Sequence, residues 1–85
     1  MDVVAAHAHS IRHRPRIEAS ETVGCFYCRA IYAPSAIIDW VDDRDDEGRI
    51  VQTALCPRCG IDSVLPGADV PLSTELLERM NAHWF

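Results

Sequence analysis

All four cysteines of this 85-residue chain fall in two C-x-x-C pairs, Cys25/Cys28 and Cys56/Cys59, with residues 29–55 between them. Two thiolates offered at i and i+3 from a tight turn face the same side of an ion. A second such turn completes a tetrahedron, the geometry zinc takes with sulfur ligands. Two disulfides would use the same residues. The stretch Met1-Asp2-Val3-Val4-Ala5-Ala6 shows neither the charged n-region nor the apolar h-region of a secretory signal. No segment approaches the roughly 18 apolar residues of a membrane span. The expected compartment is therefore the cytoplasm, where thiols stay reduced and paired C-x-x-C reads as metal ligands. The sequence predicts one structural zinc ion on Cys25, Cys28, Cys56 and Cys59.

The rest of the composition makes such a staple useful. Alanine and valine supply much of the 48% hydrophobic content, against two Trp, two Tyr and two Phe. A single small domain with so thin a core gains much of its stability from a metal or disulfide. The formal net charge of −5 would become more negative with four bound thiolates. Every basic residue is arginine. An acidic surface is poorly suited to non-specific contact with phosphate backbones, which needs clustered cations.

Residues 1–19 read as a flexible, mildly basic arm, and residues 20–85 as the zinc-binding domain. In the arm His7, His9 and His13 alternate with small residues, Arg12, Arg14 and Arg16 surround Pro15, and no helical or strand period persists. A solvated tail is favoured there over a second metal site on the three histidines; ordering against a partner or another subunit is a further alternative. Glu21-Thr22-Val23 and Arg29-Ala30-Ile31-Tyr32 flank the first cysteine turn with strand-forming residues, which predicts a hairpin. The residue after the second cysteine of such a turn often takes a left-handed conformation. Gly60 suits that position and Arg29 strains it, at a cost of about 1 kcal/mol.

Pro34-Ser35 reads as a helix start with Ser35 as N-cap, and Ile37, Ile38, Trp40 and Val41 as the apolar stripe. Trp40 is expected to cover the metal site. The acidic run from Asp42 to Glu47 lacks calcium-loop spacing and reads as a solvated turn. Arg49 to Leu55 alternates as a strand. Ser73 caps a second helix whose apolar face carries Leu76, Leu77, Met80 and Trp84, with His83 in its last turn as a dipole partner rather than a ligand. Trp84 is expected to dock on the core. The fold class is a small α+β, metal-stapled domain: two β-hairpin knuckles, a short inserted helix and a C-terminal helix.

At its cysteines the chain resembles the zinc-ribbon and rubredoxin-like proteins, in which two knuckles face each other across one metal. Cys56-Pro57-Arg58-Cys59-Gly60 carries that likeness. Cys25-Phe26-Tyr27-Cys28, Pro34-Ser35-Ala36-Ile37, Trp40, Thr53 to Val64 and Trp84-Phe85 are similar to a group of small bacterial cytoplasmic proteins without an assigned activity. The resemblance implies a metal site and no particular chemistry. Rubredoxins carry glycine where Arg29 stands and a more aromatic core, so iron electron transfer is disfavoured.

Three function classes remain. A closed four-thiolate shell favours a non-enzymatic zinc module that binds a protein partner, as an adaptor or regulator. A nucleic-acid-associated ribbon using Arg12, Arg14 and Arg16 is the alternative, and redox chemistry at iron or the thiols the lesser one. An HNH-type nuclease needs a histidine between its knuckles, and residues 29–55 contain none.

Overall fold

The computed structural model describes residues 1–85. Its organising strand is β1 (Val23–Cys25), buried at every position. Two antiparallel neighbours flank it, β2 (Ile31–Tyr32) and β5 (Val64–Pro66), in the order β2-β1-β5. The register pairs Gly24 with Ile31 on one side and Leu65 on the other. Helix α3 (Thr74–Trp84) lies on this sheet and buries Leu76, Leu77 and Met80. Gly24 lets it come close: a Cβ there would stand 3.2 Å from Leu77 Cδ1. Ser73 caps α3 as expected, its side chain accepting from the Leu76 N–H at 3.0 Å.

A second, two-stranded sheet pairs β3 (Trp40–Arg44) with β4 (Ile50–Ala54). Only the second half of the acidic run, Asp45 to Glu47, lies in its turn, while Asp42 and Asp43 belong to β3 and pair with Gln52 and Val51. Asp45 accepts from the N–H groups of Glu47 and Arg49, and Gly48 takes φ +78°. The strand β3 replaces the expected helix. Pro34–Ala36 makes only one turn of 3-10 helix, with no side-chain cap, and Ile38 is exposed. The apolar spacing over residues 37–41 is compatible with either period. β-branched and aromatic side chains together with a five-pair ladder opposite β4 decide for the strand.

The cysteine turns differ in setting. The first joins β1 to β2, which pair with each other. The second follows β4 and precedes β5, and these pair with different strands. It is therefore not a hairpin but the connection between the two sheets. The expectation of two hairpin knuckles is corrected accordingly.

Residues 1–19 also differ from the expected arm. Helix α1 (Val3–His7) contacts α3 and buries Ala6 completely; α2 (Arg14–Glu18) does the same with Ile17. Between them the chain runs beside β4: Arg12 N–H donates to Thr53 Oγ1 at 2.7 Å and His13 N–H to the Gln52 carbonyl at 3.0 Å. Each helix has only five residues, too few to display a period. Pro15 lies in the first turn of α2, where its missing N–H costs nothing.

The buried side chains form two clusters. One holds Ala6, Phe26, Leu65, Val70 and the α3 face. The other gathers Ile17, Val23, Ile37, Ala54 and Val64 around Cys25 and Cys56. Ile17→Ala is expected to lower unfolding free energy by about 2–4 kcal/mol in urea titrations of the metal-loaded protein. A loss within error would show that α2 is not part of the core.

Candidate metal centre

The two cysteine turns have the same local backbone. Cys25 N–H donates to the Ala30 carbonyl at 3.0 Å, and Cys56 N–H to that of Ile61 at 2.9 Å. Arg29 N–H returns to the Cys25 carbonyl and Gly60 N–H to that of Cys56, at 2.8 and 2.9 Å. Both closing residues are left-handed, Arg29 at φ 64° and Gly60 at φ 78°. The strain expected at Arg29 is therefore present.

These turns bring all four Sγ atoms within 4.8 Å of one another. Cys25 and Cys59 stand 3.6 Å apart, Cys28 and Cys56 3.7 Å. A tetrahedron with metal–sulfur arms of about 2.3 Å has edges of about 3.8 Å. A disulfide needs about 2.05 Å. The spacing is that of four sulfurs around one ion. Cys25 and Cys56 are buried, while Cys28 and Cys59 are half-buried. In tetrahedral coordination the four sulfurs would fill the shell.

The electrostatics divide the cysteines. Burial pushes the Cys25 thiol well up, against amide donors from Cys28 and Tyr27, and burial also raises Cys59. Cys56 is buried too, yet the Tyr32 hydroxyl and the amides of Arg58 and Cys59 outweigh that and bring it down to about 7. Tyr32 was not legible as a site residue. Its buried hydroxyl has no well-aligned hydrogen-bond partner and lies beside Cys56, where it favours the thiolate. The only sequence signal was an aromatic residue just past the first turn. Trp40 is half-buried against the apolar cluster that contains Cys25 and Cys56, with the Arg14 guanidinium 4.4 Å above its ring.

The three arm arginines all meet partners within the chain. Arg12 pairs with Asp43 at 2.9 Å, and Arg16 grips both oxygens of Asp69 at 2.9 and 2.8 Å. Arg14 reaches Glu18 at 3.3 Å and Gln52 Oε1 at 2.6 Å. The histidines do not gather as ligands; the four cysteines are the sole such cluster. His7 stacks on Trp84 at 4.1 Å between ring centres, and His83 meets the same ring at 4.7 Å. His13 is buried, its Nε2 donating to the Val64 carbonyl at 2.8 Å, which leaves Nδ1 without a partner.

No family model matches the chain, and neither a curated protein nor a solved structure matches it. No helix is long and apolar enough to cross a membrane.

Two measurements probe these details. Burial lowers the His13 pKa from its usual 6.5, more than the Val64 carbonyl raises it, with His9 adding to the lowering. Below pH 6.5 the unfolded chain takes up a proton that folded His13 resists. Its contribution is full above that pH and is lost as pH falls toward the depressed value. The loss is at most about 1.4 kcal/mol per pH unit. Melting curves from pH 7.5 to 5.5 should fall more steeply for the native protein than for His13→Gln. Parallel curves would remove His13 as the cause. At Gly60 a Cβ would meet no atom within 4 Å, so Gly60→Ala isolates the left-handed penalty. It should cost about 1 kcal/mol by chemical denaturation; no cost would mean that the turn relaxes.

Proposed function

We propose that this chain is a non-catalytic, zinc-stapled module of the cytoplasm that presents its surface to a protein partner. The observation that carries the proposal is the set of four sulfurs within 4.8 Å, with edges of 3.6 and 3.7 Å. Four soft donors suit zinc, and a filled tetrahedron leaves no position for a water or substrate. The ion's task is then to hold the two sheets together. In small domains of this kind the apparent zinc affinity, on the order of 10 kcal/mol or more, is folding free energy.

Charge favours protein over nucleic acid as the partner. The net charge is −5, and Arg12, Arg14 and Arg16 already engage Asp43, Glu18 and Asp69. A phosphate backbone would have to compete with those carboxylates for the same guanidinium groups.

Elemental analysis of purified protein should give one zinc per chain, with no visible absorption band. Cobalt substitution should produce the intense bands of a tetrahedral thiolate site. Cys56→Ser should bind zinc far more weakly, and chelation should abolish the far-UV circular dichroism. Metal-free protein with an unchanged spectrum would overturn the zinc reading, and a red, iron-containing protein would replace it with electron transfer. A salt-dependent RNA or DNA shift that vanishes in the Arg12→Ala, Arg14→Ala, Arg16→Ala triple variant would overturn the protein-partner reading.

A further inference from the structure

Between α1, α3 and the first cysteine turn lies an open cavity of about 280 Å³ that the metal centre does not use. His7, Ile11, Phe26, Trp84 and Phe85 wall it, and Asp62 stands among them. The rings form a connected wall: Phe26 lies 5.8 Å from both His7 and Phe85, and His7 lies 4.1 Å from Trp84. Core packing alone does not explain this surface, because Trp84 is 38% exposed and Phe85 58%. Asp62 is exposed and takes no part in any ion pair of the structure. No arginine lines the cavity.

We infer that this cavity receives a cationic side chain, arginine or lysine, from the partner protein. Aromatic faces attract cations through their quadrupole, with indole the strongest. An unpaired carboxylate beside those faces supplies the counter-charge, and the net charge of −5 draws a basic segment toward the surface. The volume falls just below that of drug-sized pockets and suits one side chain. A purely apolar anchor would fill the same walls but leave Asp62 unused, so charge is what the test must separate.

The assignment rests on the protein-partner reading above, and the two fail separately. The probe is N-acetyl-arginine N-methylamide, titrated into the zinc-loaded full chain labelled with nitrogen-15. Its citrulline analogue, uncharged and nearly the same shape, is the control. Saturable shifts are expected at the Trp84 indole N–H and the Phe26 and Asp62 amides, with a dissociation constant on the order of millimolar. Citrulline should bind at least about fivefold more weakly, and Asp62→Asn should weaken arginine by a similar factor. Asp62 has an exposed side chain, so the variant should keep its fold, which the spectrum itself reports. Equal binding of citrulline, shifts elsewhere, or no saturable response would overturn the cavity assignment. The protein-partner reading would survive that result if in-cell cross-links place a protein on another face. Conversely, an arginine response together with cross-links to nucleic acid alone would remove the protein-partner reading and the cavity's assigned occupant with it.

Discussion

The structure depends on two loops meeting sulfur to sulfur. Cys25 ends the central strand of one sheet and Cys28 follows it, and Cys56 and Cys59 leave the hairpin that forms the other. The two sheets do not exchange strands; the cysteine cluster joins them, together with the buried Val23, Val64, Ala54 and Ile17 side chains of the same cluster. Two of the four thiols are buried. As uncompensated thiolates they would repel one another in a low-dielectric setting; as thiols they would contribute weak packing. An ion at their centre would turn that liability into a cross-link. The Tyr32 hydroxyl beside Cys56 and the turn amides would help to stabilise the negative charge that remains.

The N-terminal segment braces the same junction from outside. Arg12, left-handed at φ 53°, and Arg14, the first residue of α2, reach the β3–β4 sheet from its two faces. Arg12 reaches Asp43 of β3 on one face, and Arg14 covers Trp40 on the other. The Arg12–Asp43 ion pair is largely exposed and is worth about 0–1 kcal/mol, and the exposed cation–π contact of Arg14 about as much. Burial of Ile17, Ala6 and the His13 ring holds the segment more firmly. The arginines set its register; the apolar side chains hold it down.

Much of the site was legible because it is local. The C-x-x-C spacing, the left-handed residues Arg29 and Gly60, and the Ser73 cap each follow from a few adjacent residues. The acidic turn closed by Gly48 was legible for the same reason. What failed required knowledge of distant partners. Residues 37–41 carry too few apolar positions to separate a helix from a strand, and the ladder to β4 settles them. The first nineteen residues bury single side chains against elements far along the chain, which leaves no periodic trace. Tyr32 acquires its role only when the second turn arrives beside it.

A thin core and an exposed aromatic surface are linked consequences of this design. In a domain without a staple, large rings are the most effective way to bury area, and a chain with so few of them would commit them inward. Here the cluster around Cys25 and Cys56 is built from Ile, Val and Ala, with Tyr32 and Trp40 only at its margin. The cluster beneath α3 contains one ring, Phe26. Tyr27, Trp84 and Phe85 therefore keep substantial exposure, Tyr27 and Phe85 ordered by contact with each other and Trp84 by contact with His7 and His83. An ordered apolar surface of this kind is tolerable when the cross-link, not the rings, secures the fold.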